Sequence, residues 1–212
     1  TEAITKDKIE YFLCNGFTIV IYKKEIYAIE TKGDLNRSIN PPESQPAIYG
    51  PKDSFTESIQ TNLGLIKRRL KTSNLINHDI IVGKQTKTKV SVVYLDNICE
   101  QELVDKIIDK INQIDIAGII DSSYISQLIT NESGTAFPTT MESERPDKVV
   151  SELLEGKLAI LVDTSPFVLI LPAFFVDFIN PTTDNYNKNI NINILKITRF
   201  LCYFISIMVP AL

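Results

Sequence analysis

The chain has 212 residues, 44% of them hydrophobic and 23% charged, with 22 basic against 26 acidic side chains and a formal net charge of −4. That length can bury one generous core or two small ones. The acidic balance argues against wholesale nucleic-acid binding, which shows as a basic domain.

In chain order, "FTIVIYKKEIYAIET" (17–31) predicts two strands around Lys23 and Lys24, because β-branched and aromatic residues dominate without a helical period. Residues 36–46, "NRSINPPESQP", read as loop, since three prolines forbid regular helix there. "GPKDSFTESIQTNLGLIKRRLK" (50–71) predicts a turn and then a helix from about Phe55, capped by an S-x-x-E box of Ser54 and Glu57. Phe55, Ile59, Leu63, Ile66 and Leu70 would form its apolar face. Lys67, Arg68, Arg69 and Lys71 crowd its last turn, where the helix dipole favours cations.

Two more strands follow, at about 79–83 and 87–95. Residues 100–114 then carry a helical stripe of Leu103, Val104, Ile107, Ile108, Ile111 and Ile114. A shorter helix is opened by Asp121 or Ser122. Pro146 in the first turn and Gly156 past the end frame "PDKVVSELLEG" as another helix. "KLAILVD" and "PFVLIL" suit strands buried on both faces. Alternating strands and helices give an α/β class, with α+β also open, built on a mixed sheet flanked by helices.

Residues 180–193 are polar and asparagine-rich, as in a linker. Residues 200–212 carry no charge, and Lys196 and Arg199 stand before them as basic anchors. Thirteen residues are short of the ~20 needed to span a bilayer, so this run is expected to be the truncated start of a transmembrane helix, with both chain ends cut. The domain plan expected is 1–35 as the end of a first subdomain or its hairpin, 36–179 as an α/β subdomain, 180–193 as linker and 194–212 as the span's beginning.

Chemistry-bearing motifs are sparse. Cys14, Cys99 and Cys202 are odd in number and form no C-x-x-C, which fits reduced thiols rather than a disulfide framework or zinc site. His78 is the only histidine, so a hydrolase would have to use it, and no G-x-S-x-G accompanies it. No catalytic residue, metal or cofactor is expected.

Four stretches, "GPKDSFTESIQTNLGLIKRRLKTSNL", "KTKVSVVYLD", "ERPDKVVSELLEGKLAILVDTSPFVLILPAFF" and "ITRFLCYFISIMVPAL", come in the order found in A subunits of GerA-family spore germination receptors. The chain resembles that family from about Phe12 to Leu212. The resemblance implies the cytoplasmic N-terminal region of a larger membrane protein. That protein would sit in the inner spore membrane, with its soluble part facing the spore core. Its partners would be B and C subunits and other copies of itself, not nucleic acid. Departures are also visible. The family's D-G-T-P-F is "DTSPF" here, so Thr164 stands where a glycine is usual and the turn is expected to differ. Asn97 follows "YLD" in place of another glycine, a swap that asparagine's tolerance of positive φ makes mild.

The function expected from this resemblance is a regulatory and assembly domain, coupling nutrient sensing to ion release; the alternative is a germinant-binding module. Interaction residues would be Gly50, Pro51, Lys52, Asp53, Phe55, Thr56, Glu57, Arg68, Arg69, Glu144, Arg145, Asp147 and Lys148. From the residues alone, the basic helix end is either a solvated last turn or a contact with an acidic partner or lipid headgroups. Lys52 and Asp53 would stand at a helix N-terminus, where anions bind. Glu144, Arg145, Asp147 and Lys148 read as an exposed ion-pair cluster at a helix start, weak by itself, or as a subunit contact.

Overall fold

The computed structural model describes residues 2–3, 9–14, 17–22, 25–30, 42, 50–130, 138–179 and 189–209. Near the N-terminus, β1 (Glu2–Ala3), α1 (Ile9–Cys14), β2 (Phe17–Tyr22) and β3 (Glu25–Glu30) include a three-stranded antiparallel sheet of order β1-β3-β2. β2 and β3 are the two strands expected around Lys23 and Lys24, paired from Phe17 opposite Glu30 to Tyr22 opposite Glu25.

The main sheet is built from the apolar runs that the sequence marks as buried. It contains β4 (Leu75–Val82), β5 (Thr88–Leu95), β6 (Met141–Ser143), β7 (Leu158–Val162) and β8 (Val168–Leu171), in the order β4-β5-β7-β8-β6. Each of its pairings is antiparallel. The class is therefore the α+β form left open by the sequence, and the mixed pairing expected within the sheet gives way to hairpins and antiparallel returns. Every residue of β7 and β8 is buried, as central strands covered on both faces require.

Side chains alternate across the pleat, so each strand feeds two cores. On one face, Val90, Val92, Ile160 and Leu169 pack with Val104, Ile107 and Ile111 of α3 (Gln101–Asn112) and Ile125 and Ile129 of α4 (Ser122–Thr130). On the other, Val93, Leu161 and Ile170 pack with Leu63 and Ile66 of α2 (Ile59–Arg69) and Val149 and Leu153 of α5 (Pro146–Leu154). The result is a three-layer sandwich with one helix pair on each side. Pro146 opens α5 and Gly156 follows it at φ +90°, as its sequence frame predicts. Asp121, rather than Ser122, caps α4: its Oδ2 accepts from Ser123 Oγ at 3.0 Å and from Ser123 N at 3.5 Å.

Two helices follow the sandwich, α6 (Phe175–Ile179) and α7 (Asn189–Met208). α7 begins within the expected linker, while residues 180–188 lie outside the described set. Among the described residues, no helix is long and apolar enough to cross a membrane. α7 has the length, but its first turns alternate asparagine with isoleucine and carry Lys196. The side chain of Lys196 lies outside the described set, and Arg199 is half-buried.

Candidate functional site

The stretch 50–58 departs most from its local reading. α2 starts at Ile59, and its cap is Ser58, whose Oγ accepts from Thr61 N at 3.4 Å. The box of Ser54 and Glu57 does not form. The reason is tertiary: the backbone of 55–57 is committed elsewhere. Phe55 N donates to Glu144 O at 2.8 Å, and Glu57 O accepts from Thr164 N at 2.8 Å. Asn62, 1% exposed, holds the residue between them. Its Oδ1 accepts from Thr56 N at 2.8 Å and its Nδ2 donates to Thr56 O at 2.6 Å.

The segment therefore runs back along α2. An 11-residue helix is about 16 Å long, and the five steps from Asp53 to Ser58 cover about the same distance when extended. Asp53 consequently meets the C-terminal end of α2 and not an N-terminus, which removes the anion site expected for Lys52 and Asp53. Arg69 Nη2 lies 2.6 and 2.7 Å from the two Asp53 oxygens, and Arg69 Nη1 donates to Leu65 O at 3.2 Å. Arg68 reaches Asp53 only at 3.5 Å, with its side chain 48% exposed. Gly50, at φ +98°, and Lys52 are exposed; Pro51 and Thr56 are half-buried and Phe55 is buried. The basic cluster thus divides: Arg69 closes the segment onto its helix, while Lys67, Arg68 and Lys71 face solvent.

Glu144 and Arg145 also differ from expectation, being buried rather than exposed. Arg145 Nε and Nη2 donate to the two oxygens of Asp147 at 3.0 and 2.6 Å, with side chains only 4% and 7% exposed. Lys148 is half-buried. Burial pushes its ammonium down from the ordinary lysine value, against the pull of nearby Glu152 and Asp177.

Glu152 and Asp177 belong to a second group that sequence reasoning missed. The Lys157 side chain is 7% exposed, and its Nζ lies 2.6 Å from both Glu152 Oε2 and Asp177 Oδ2. Only the Asp177 contact is an aligned hydrogen bond; Glu152 Oε2 makes a charge contact without one. Burial opposes the Lys157 charge, but the hydrogen bond to Asp177 and the negative charges of Glu152 and Asp177 outweigh it and raise its pKa. Asp177 Oδ2 also accepts from Phe174 N at 2.8 Å, so one carboxylate both starts α6 and ties it to the sandwich. The signal available in the sequence was Lys157 itself, a lone cation beside the wholly apolar "LAILV".

The turn between β7 and β8 joins these parts. Ile59 N donates to Asp163 Oδ1 at 3.3 Å, Thr164 Oγ1 donates to Ile120 O at 3.1 Å, and Ser165 Oγ donates to Asp121. Thr164 has φ +76°. It adopts the conformation in which a glycine is unstrained, so the different turn expected from its β-branched side chain does not form. Asn97 is not among the residues with positive φ.

Catalytic chemistry finds little support. His78 and Asp79 are neighbours on β4, so they point to opposite faces. Asp79 instead accepts from Ser91 Oγ at 2.7 Å and pairs with Lys89 at 2.8 Å. A groove along the outer side of α3 is lined by polar side chains of that one helix, among them Glu102, Asp105, Lys106 and Lys110. Among the described residues, no group of three or more His, Cys, Asp or Glu side chains is placed to hold a metal.

Comparison with known proteins bears on what this arrangement belongs to. The chain is 39% identical over 202 residues to Spore germination protein KA of Bacillus subtilis (strain 168), covering 95% of this chain and 37% of that protein. It is 34% identical over 211 residues to Spore germination protein B1 of the same organism, covering 98% of this chain and 44% of that one. It thus spans less than half the length of these relatives. The crystal structure of the N-terminal domain of the A subunit of the Bacillus megaterium spore germinant receptor GerK3 is similar, with a TM-score of 0.58 at 35% identity, over 80% of this chain and 60% of that one. The match to the Bacillus/Clostridium GerA spore germination protein family covers residues 1–212. On these grounds, the chain belongs to the GerA spore germination protein family.

Proposed function

We propose that this region is the regulatory and assembly domain of a germination receptor A subunit, and that it passes a conformational signal between its sandwich and a membrane-embedded part. The observation that carries this reading is Lys157. One buried ammonium holds Glu152 of α5 and Asp177 of α6 together at 2.6 Å. α6 is the last described element before α7, so that ion ties α5 to the element that precedes the C-terminal helix in the chain. A buried ion shared by two elements ties the movement of one to the movement of the other, because parting either carboxylate from it exposes an uncompensated charge.

In this account α7 is the start of a transmembrane helix with Lys196 and Arg199 at its cytoplasmic side, in the inner spore membrane. B and C subunits and further copies of the A subunit assemble around it. Arg68, with Lys67 and Lys71, supplies the subunit or headgroup contact, since Arg69 is already engaged by Asp53. The protein has no catalytic role.

The test is nutrient-triggered ion release from spores carrying Asp177→Ala in the full-length protein. Slowed release at an unchanged protein level supports coupling through α6. Release at the normal rate removes the proposal. Calorimetric titration with nutrients tests the germinant-binding alternative: saturable heat would make binding the primary role.

A further inference from the structure

α6 is amphipathic in the wrong sense for a surface facing water. Its acid, Asp177, is turned inward to Lys157, with only 14% of its side chain exposed. Its apolar residues, with Phe174 just before it, are turned outward: Phe174 is 57% exposed, Phe175 51%, Val176 53% and Phe178 46%. Nothing about helix propensity requires this. It follows from fixing the one carboxylate on a buried lysine, which leaves the aromatic side chains to face outward. The Lys157 ammonium stands 5.7 Å from the centre of the Phe174 ring, so the same lysine also braces the base of the aromatic patch.

We propose that this patch is an interfacial foot that lies in the headgroup and upper acyl region of a phospholipid bilayer. The proposal rests on the reading of α7 as a membrane helix and goes beyond it, because it assigns a lipid contact to α6, the helix that Lys157 ties to the sandwich. Two observations select lipid over a protein partner. The four side chains together expose on the order of 400 Å², against ~800 Å² per partner in a stable protein interface. A tethered foot needs far less area, since neighbouring anchorage raises its effective concentration at the surface. The patch is also followed in the chain by α7, where Phe200, Leu201, Tyr203, Phe204 and Ile205 are again exposed. Exposed phenylalanines beside such an apolar helix fit the buried face of a helix lying at the membrane–water boundary.

The chain contains no tryptophan, so a single introduced indole reports only its own surroundings. Phe175→Trp, Phe204→Trp and Ile81→Trp are compared in the whole chain, bound to vesicles of phosphatidylethanolamine and phosphatidylglycerol with brominated acyl chains. All three sites are exposed, and Ile81 lies on β4 at 72% exposure as the water-facing control. The expected result is a blue shift and loss of emission for Phe175→Trp, with Ile81→Trp unchanged. Quenching of Phe204→Trp alone would overturn the foot while leaving the membrane reading of α7 intact. Quenching of neither overturns both. A Phe175→Trp emission shielded from aqueous iodide yet untouched by bromine would mean a protein contact, and would also overturn the foot.

Discussion

Arg69, at the C-terminal end of α2, places one guanidinium nitrogen 2.6 and 2.7 Å from the two oxygens of Asp53, sixteen positions earlier. This contact separates two arginines that are adjacent in sequence. Arg69→Ala should cost about 1–3 kcal/mol, the range for charge-assisted hydrogen bonds lost from a partly buried site. Arg68→Ala, at a half-exposed position, should stay within about 0.5 kcal/mol. Urea unfolding of the two variants checks the difference, and equal losses would mean that Asp53 does not choose between them.

Asp147→Asn should be among the most damaging single changes. It removes the Asp147 charge from beside the Arg145 guanidinium, whose side chain is only 4% exposed. Breaking one side of a buried pair costs about 3–5 kcal/mol, while replacing both partners with apolar side chains of similar volume costs much less. Thermal unfolding of Asp147→Asn beside the double variant Arg145→Met/Asp147→Leu measures this. The double variant should be the more stable of the two.

Thr164 offers an ordering of two substitutions. Its φ of +76° carries a strain of about 1–2 kcal/mol for a residue with a Cβ, and its hydroxyl bond to Ile120 O returns about 1 kcal/mol. Thr164→Ala keeps the strain and loses the bond. Thr164→Gly loses both. Glycine should therefore be the more stable variant by about 1 kcal/mol, read from denaturant midpoints.

Some of this architecture can be read locally and some cannot. The α3 stripe from Leu103 to Ile114 repeats at helical spacing, Pro146 and Gly156 mark the ends of α5, and the apolar runs of β7 and β8 announce double burial. Each signal lies within a dozen residues. The start of α2 fails because Ser54 and Glu57 satisfy the local rule, while Glu144 and Thr164, about 90 and 107 positions further on, bond Phe55 N and Glu57 O and hold 55–57 out of the helix. Asn62 was legible in principle. It falls on the stripe of Ile59, Leu63 and Ile66, the one polar member of an apolar face, and a polar side chain there needs partners. Three-residue β6 is too short for any period to show. The Lys157–Asp177 tie spans twenty positions with no repeat and required coordinates.

Asp121 gives a pH dependence with a definite sign. Burial works against its charge, but hydrogen bonds from Ser165, Ser122 and Ser123 prevail and hold its pKa below the ordinary aspartate value. A folded pKa below the unfolded one stabilises the protein above the unfolded value, near ~3.9. That contribution is lost as pH falls through the folded value. The stability gap between the natural chain and Asp121→Asn should thus be full near neutral pH and close on acidification. Chemical unfolding at a series of pH values checks it; a gap that widens in acid contradicts the assignment.

The most direct test of coupling through α6 is a double-mutant cycle on germination rate, with Lys157→Ala, Asp177→Ala and both together in the full-length protein. If the two residues act as one tie, the second substitution adds little to the first. Single variants that each slow germination, with a double variant no slower than the worse of them, are the predicted result. Fully additive effects, or normal rates from all three variants at normal protein levels, would contradict it.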